Sequence, residues 1–239
     1  MKLTNKKFIP FLVLSILIFI ASSCSSEIDD VDSKKINEGE IIYEIKYPTY
    51  KRKKSILFKI LPKKMITTFS DNCYKNDFIF SNNALSLTII SDCNSKQTTL
   101  SYCDGARKKF TKVDSISIHQ LLSQLPKYNK LNDYNEPTVF LTLPSKKIEL
   151  TCKEEETQFD VITSSTIQIN NMNWCTPFHE IDDVLLSYQM TQFGIDMEFN
   201  AIEINEKEIE SNEFVVDESF EAETIEKYLD EIKMFFSIF

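Results

Sequence analysis

Apolar side chains recur at every second position through most of this chain, and that period decides what it can build. Ile41, Tyr43, Ile45 and Tyr47 alternate with Ile42, Glu44 and Lys46 until Pro48 stops the run. Period two is the spacing of a strand that buries one face. Strands are also predicted at Met65–Ser70, Asp77–Ser81, Leu85–Ser91 and Gln97–Cys103, with turns rich in Asn, Asp and Ser between them. They resume at Thr138–Leu143, Ile148–Cys152, Phe159–Thr163 and Thr166–Ile169. Val184, Leu186, Tyr188 and Met190 alternate again, as do Ile195, Met197, Phe199 and Ala201. Ile202 and Ile204 then switch face, which predicts a bulge near Asn200. Short polar turns between successive strands suit an antiparallel meander.

Two stretches change period. Ile118, Leu121, Leu122 and Leu125 fall at helical spacing, and Pro126 marks the end. Ser117 and Gln120 read as a capping box, with Ile116 and Leu121 as its hydrophobic staple. From about Ala222 a second helix carries Ile225, Leu229, Ile232, Phe235 or Phe236, and Phe239 on one stripe. Glu221, Glu223 and Glu226 lie in its first turns, where the macrodipole favours acids. The stripe packs on the sheet or touches a membrane, and the acidic opposite face argues against the membrane. The polar stretch Lys127–Glu136 reads as a surface loop and Asn170–Asp183 as a long irregular segment. The expected fold is mostly β (α+β): a curved antiparallel sheet or half-open β-barrel with a mid-chain and a C-terminal helix packed on one face.

The first thirty residues address this fold. Lys2, Lys6 and Lys7 precede an apolar run, Phe8 to Ala21, and then Ser22-Ser23-Cys24. A membrane span needs roughly 20 apolar residues, and this run is shorter and holds Pro10 and Ser15. It reads as a lipoprotein signal, residues 1–23, cleaved before a lipidated Cys24; a soluble secreted protein is the nearer rival. Lysines on the inner side agree with the usual orientation of such signals. Residues 24–37 are an acidic tether, and Glu27, Asp29, Asp30 and Asp32 read either as solvated spacer or as a surface-export address. Residues 38–239 form one domain. The expected location is the cell envelope, as an outer-membrane lipoprotein.

Charge removes whole classes of partner. The chain has 27 basic and 36 acidic residues, net −9. Cleavage removes three lysines and no acid, which takes −9 to −12. Nucleic acid and anionic lipid surfaces both select basic faces, so neither is an expected partner of the protein surface. The local run Lys51-Arg52-Lys53-Lys54 reads as a solvated flank or, less readily, a phosphate or headgroup site. Only Gly39, Gly105 and Gly194 are glycines, so glycine-rich phosphate loops are absent.

Five cysteines follow Cys24, and none has Cys-x-x-Cys spacing, which argues against zinc and thioredoxin-type chemistry. If the Phe78–Ser81 and Leu85–Ile90 segments pair about Asn82-Asn83-Ala84, Cys73 faces Cys93 and a cross-strand disulfide fits. The competing reading is five buried free thiols. His119 sits in the first helix, and His179 lies beside Glu180, Asp182 and Asp183 without the spacing of a known metal loop. No Gly-x-Ser-x-Gly and no triad context occurs, and the run Glu154-Glu155-Glu156 reads as a solvated turn. No cofactor and no enzymatic activity are expected.

Three motifs carry a resemblance. Glu38-Gly39-Glu40-Ile41-Ile42-Tyr43, Leu61-Pro62-Lys63-Lys64-Met65 and Ile89-Ile90-Ser91-Asp92 resemble the front half of a Bacteroidota lipoprotein family that is a domain of unknown function. The segment from Trp174-Cys175-Thr176-Pro177-Phe178-His179 to Leu186 resembles its second motif, and Gln192-Phe193-Gly194-Ile195 with Met197 its third. The chain departs from the pattern at Leu141–Lys147, which lacks the glycine and cysteine, and after Asp183, where a glycine is missing. Members of that family look similar to the LolA/LolB lipoprotein-carrier fold, a half-open barrel closed by helices around an apolar cavity. The resemblance implies an apolar or amphiphilic ligand, such as a lipid. Candidate cavity residues are Phe69, Phe80, Leu87, Leu100, Leu186, Met197 and Phe199, with Trp174, Pro177 and Phe178 at the pocket mouth. The alternative is a structural or partner-binding surface lipoprotein with a packed core and no ligand.

Overall fold

The computed structural model describes residues 34–50, 56–81, 85–123, 125–152 and 157–237. Cys24, the basic run at 51–54 and most of the acidic turn at 153–157 lie outside them. The first half of the chain is a meander: β1 (Gly39–Lys46), a short helix α1 (Ile56–Ile60), then β2 (Lys64–Ser70), β3 (Cys73–Ile79), β4 (Ser86–Asp92), β5 (Gln97–Cys103) and β6 (Lys108–Val113). After α2 (Ile118–Leu122) comes a second meander: β7 (Tyr128–Phe140), β8 (Leu143–Cys152), β9 (Gln158–Ser164), β10 (Val184–Gln192) and β11 (Ile195–Glu206). A two-residue strand β12 (Glu221–Ala222) and helix α3 (Ile225–Phe236) complete the described fold.

All twelve strands form one sheet, in the order β12-β6-β5-β4-β3-β2-β1-β11-β10-β9-β8-β7. Every pair is antiparallel except β12 with β6. The meanders meet where β1 pairs with β11, in the middle of the sheet. The chain leaves β6 near one edge and re-enters as β7 at the other, ten strand spacings away. Laid flat, that distance is about 48 Å. Residues 114–127, five of them helical, reach at most about 40 Å. The sheet therefore curls, and it stays open rather than closing into a barrel.

The curl gives the sheet an inside. Ile41, Tyr43 and Ile45 on β1, Met65 and Phe69 on β2, Tyr74 on β3 and Phe199 on β11 are buried there. The α2 residues Ile118 and Leu121 and the α3 residues Ile225, Tyr228 and Ile232 pack with Leu100, Tyr102 and Val113 of the same face. Thr224 caps α3, its hydroxyl accepting from Lys227 N, as N-cap threonines do. Between β11 and β12 the chain crosses the outer face as a strap. It is held by Ile209 N–H on the Glu38 carboxylate (3.2 Å), by a Lys75–Glu213 ion pair (2.5 Å) and by Lys108 donating to Ser219 (2.9 Å).

Several local expectations are corrected. Ser117 makes no side-chain cap for α2. Asp114 does that work: its carboxylate accepts from Ile116 N, Ser117 N and Ser117 Oγ at 2.8–3.0 Å. Those bonds hold the Asp114 carboxyl below its usual range, the Ser117 N–H foremost. Ile116 is 84% exposed, so no staple forms. Lys127–Glu136 is not a loop but the start of edge strand β7, whose two register shifts against β8 erase the alternation. β6 shows no clear alternation, because Lys108, Lys109 and Lys112 mask Phe110 and Val113. The bulge expected near Asn200 is present, with Ile202 as the extra residue: Ile42 opposes Glu203 while Tyr43 opposes Ala201. Thr166–Ile169 contributes only a bridge from Ile167 to Ile36.

The Cys73–Cys93 disulfide is also corrected. Cys73 stands opposite Asp92, one residue off the expected register, and both thiols are free. A one-residue slip sends the paired side chain to the other face of the sheet.

Gly39 opens β1 with φ +154°, and a Cβ there would lie 2.2 Å from the backbone oxygen of Asn205. Neither backbone can yield without breaking the β1–β11 pairing. Gly39→Ala is expected to cost about 1–3 kcal/mol, a fall in Tm of several degrees. Gly105→Ala, at φ +83° but with nothing within 4 Å of a Cβ, carries backbone strain without the clash and is expected to cost less; equal melting shifts in the two variants would refute the steric argument.

Candidate functional site

The curled face is not completely filled. A cavity of about 170 Å³ lies between β3, β4, β5, β10 and β11 on the sheet side and α3 on the other. Sheet parity explains the walls: Tyr74 and Phe78 of β3, Leu87 and Ile89 of β4, and Leu100 of β5 share the inward face. Met190, Met197 and Phe199 face them from β10 and β11. Leu229, Ile232 and Phe236 form the roof, with Phe193 stacked on Phe236 at a centroid distance of 5.5 Å. The lining is overwhelmingly apolar and the space is partly open, so a small hydrophobic group has a matching surface and a way in.

Of the expected cavity residues, Leu87, Leu100, Met197 and Phe199 line this space. Phe69, Phe80 and Leu186 do not. Phe69 and Leu186 are fully buried in the central core. Phe80 packs edge-on to Phe235 at 6.2 Å, in the cluster beneath α3. Pro177 is in the lining, together with Cys175 and Thr176. Phe178 turns away to Tyr128 and Tyr188, at 5.0 and 5.4 Å. Sequence reasoning missed Tyr74, Phe78 and the roof as cavity walls. The parity of β3 was available, but nothing local says that α3 stands off from the sheet at this point.

Trp174 is half-buried and anchors the irregular segment to β4. Its indole N–H donates to Ser91 Oγ (3.0 Å). Ser91 and Thr98 hydroxyls are 2.9 Å apart, and Thr98 donates to the Cys175 sulfur (3.4 Å), which also meets Tyr74 OH at 3.7 Å. The direction of donation runs from indole to Ser91, on to Thr98 and then to Cys175, so each buried polar group finds a partner. Burial pushes the Cys175 thiol up, and it drives Cys93 to about 12. Both stay protonated at neutral pH and are poor nucleophiles. His119 and His179 are exposed, and among the described residues no three His, Cys, Asp or Glu side chains cluster to hold a metal.

A second cavity, about 160 Å³, adjoins the first. Its apolar side has Tyr128, Phe159, Met190 and Met197, and its polar side has Thr49, Gln189, Thr191 and Asp196. Thr49 and Thr191 hydroxyls donate to the Asp196 carboxylate. A wider groove of about 590 Å³ lies outside, under the strap. It is open and charged, and its Lys75 is already paired with Glu213 and Asp77.

No family model and no curated protein matches this chain. Solved structures match in fold. A structure of PNGF-II superposes with a TM-score of 0.50 over 82% of this chain at 10% identity. The chain spans 33% of that protein's length. At that identity the likeness concerns the fold alone.

Ser91→Ala removes the middle of the hydrogen-bonded chain and strands the Trp174 N–H. The expected loss is about 1–3 kcal/mol, read as a Tm lowered by several degrees, with Trp174 fluorescence shifted to the red. An unchanged melting curve and emission maximum would show that the chain carries no stability.

Proposed function

We propose that this chain is a lipid-anchored envelope protein that holds a small apolar group between its curled sheet and α3. The observation carrying the reading is the apolar cavity of about 170 Å³ under the α3 roof. The Phe8–Ala21 run ending in Ser22-Ser23-Cys24 supports the anchor, and the motif resemblance to a carrier-like lipoprotein family supports the ligand class. The volume sets the scale: a ring or a short alkyl segment fits, whereas drug-sized sites run to about 300–1,000 Å³. That same modest volume favours the second reading, a partner-binding lipoprotein with a nearly packed core and no ligand.

Thermal shift with benzene or 1-hexanol separates the two. A ligand at ten times its Kd stabilises the folded state by about 1.4 kcal/mol, so Tm is expected to rise by about 3–5 °C. In Leu87→Trp, which fills the cavity, the rise should vanish. No shift in the unmodified protein, with no small molecule retained in native mass spectrometry, would leave the packed-core reading standing.

The anchor has its own test. Cys24→Ala should move the protein out of the membrane fraction and remove the acyl mass from its N-terminal peptide. Retention of both would refute lipidation at Cys24.

A further inference from the structure

The inward face of β3 carries Tyr74, Asn76 and Phe78 at alternate positions, and all three line the cavity under α3. Asn76 breaks an otherwise apolar row. Its register neighbours are Thr67 on β2 and Ile89 on β4, and Leu100 stands beyond Ile89 on β5. β3 is paired along both sides, far from either edge of the sheet. An inward side chain there meets solvent only through the cavity, which accounts for Asn76 being half-buried.

Thr67 fixes how the Asn76 amide is turned. Thr67 is fully buried, and its hydroxyl donates to Asn76 Oδ1 at 2.7 Å. A flipped amide would leave that hydroxyl proton without an acceptor. Asn76 Nδ2 is then left with two N–H donors and no partner among the described residues. Other polar side chains of the wall are engaged: Thr98 donates to Cys175, and Thr176 to the Asn173 carbonyl. Gln192, the second amide, sits at the end of β10 beside the hairpin turn. Among the described residues no Lys or Arg lines the cavity.

We propose that Asn76 is the orienting polar contact of this cavity, and that the ligand is a small apolar molecule carrying one uncharged carbonyl, as a ketone or an ester does. This rests on the ligand reading above and deepens it from a small apolar group to a defined chemical class. A carbonyl oxygen only accepts and Nδ2 only donates, so the two match without a further partner. A hydrocarbon of the same shape leaves the amide donors unpaired in an apolar wall, and a site of that kind discriminates against the analogue that lacks the polar group. A carboxylate would enter with no cation to balance it.

Acetophenone and ethylbenzene have nearly one shape and differ in the carbonyl. Calorimetric titration of the full chain with both compounds gives their affinity ratio, which cancels any change in cavity volume between variants. In Thr67→Val/Asn76→Leu, which replaces both hydrogen-bonding partners by apolar groups, the acetophenone-to-ethylbenzene ratio should fall about five- to tenfold. Asn76→Asp keeps the acceptor for Thr67 and removes the donors, so it reads the same fall should the double variant not fold. There 1-phenylethanol, which brings its own donor, should lose less than acetophenone. An unchanged ratio in the variants overturns the role of Asn76, while ethylbenzene binding would leave the small-ligand reading intact. Absence of binding for both compounds in the unmodified protein overturns the ligand reading itself.

Discussion

The architecture depends on one junction, the pairing of β1 with β11. Each meander alone is a run of neighbouring hairpins. Only the β1–β11 ladder makes them one sheet, because the chain departs from one edge and returns to the opposite one. The junction explains the demands on β1. Ile41, Tyr43 and Ile45 are essentially inaccessible, Gly39 must be bare to approach Asn205, and the Tyr43 hydroxyl reaches across to donate to the Leu185 carbonyl at 2.7 Å. Burial of that hydroxyl pushes the Tyr43 pKa well above the ordinary phenol value, so it remains a donor. Contacts between strands so distant in sequence come with a large loop-closure cost. The junction is accordingly dense in aromatic and aliphatic burial.

Curl follows from the junction, and the cavity follows from curl. A connection shorter than the flat sheet is wide pulls the two edges round, and the inner face then needs filling. A train of rings does much of that work: Phe78 meets Phe199, Phe199 stacks on Tyr188 at 4.7 Å, Tyr188 meets Phe178, and Phe178 meets Tyr128. It runs from the first meander through the junction strands to the edge of the second. Where it ends beneath α3, bulky side chains from a helix and a sheet meet at an angle, and a gap remains. Half-buried Lys63 shows how a polar group is accommodated beside the rings: its ammonium lies 3.5 Å from the Phe58 ring centroid and 4.6 Å from that of Tyr47, with burial lowering its pKa.

Much of this was legible residue by residue. Wherever a strand buries one face, alternation announced it, as at Ile41–Tyr47 and Gln97–Cys103. The α3 stripe announced itself in the same way. Legibility failed where local chemistry competed with period. β7 is a bulged edge strand with one paired side, so polar residues such as Asn129 and Asn132 sit in it at little cost. The β7–β8 turn puts Leu141 and Thr142 at φ +48° and +69°, a conformation that favours Gly and Asn. Neither side chain advertises it, so local pattern alone predicts strand straight through the turn. At α2 the nearer capping residue, Ser117, lost to Asp114, whose charged carboxylate is the stronger acceptor.

The sequence by itself determined the fold class, two of the three helices and the net negative charge, because each depends on a local pattern of side chains along the chain. The pairing of β1 with β11, the free state of Cys73 and Cys93, and the choice of Phe199 rather than Phe69 for the cavity wall were decided only in three dimensions. They depend on register and on which distant strands become neighbours. A strand's period says that one face is buried, but not what it is buried against.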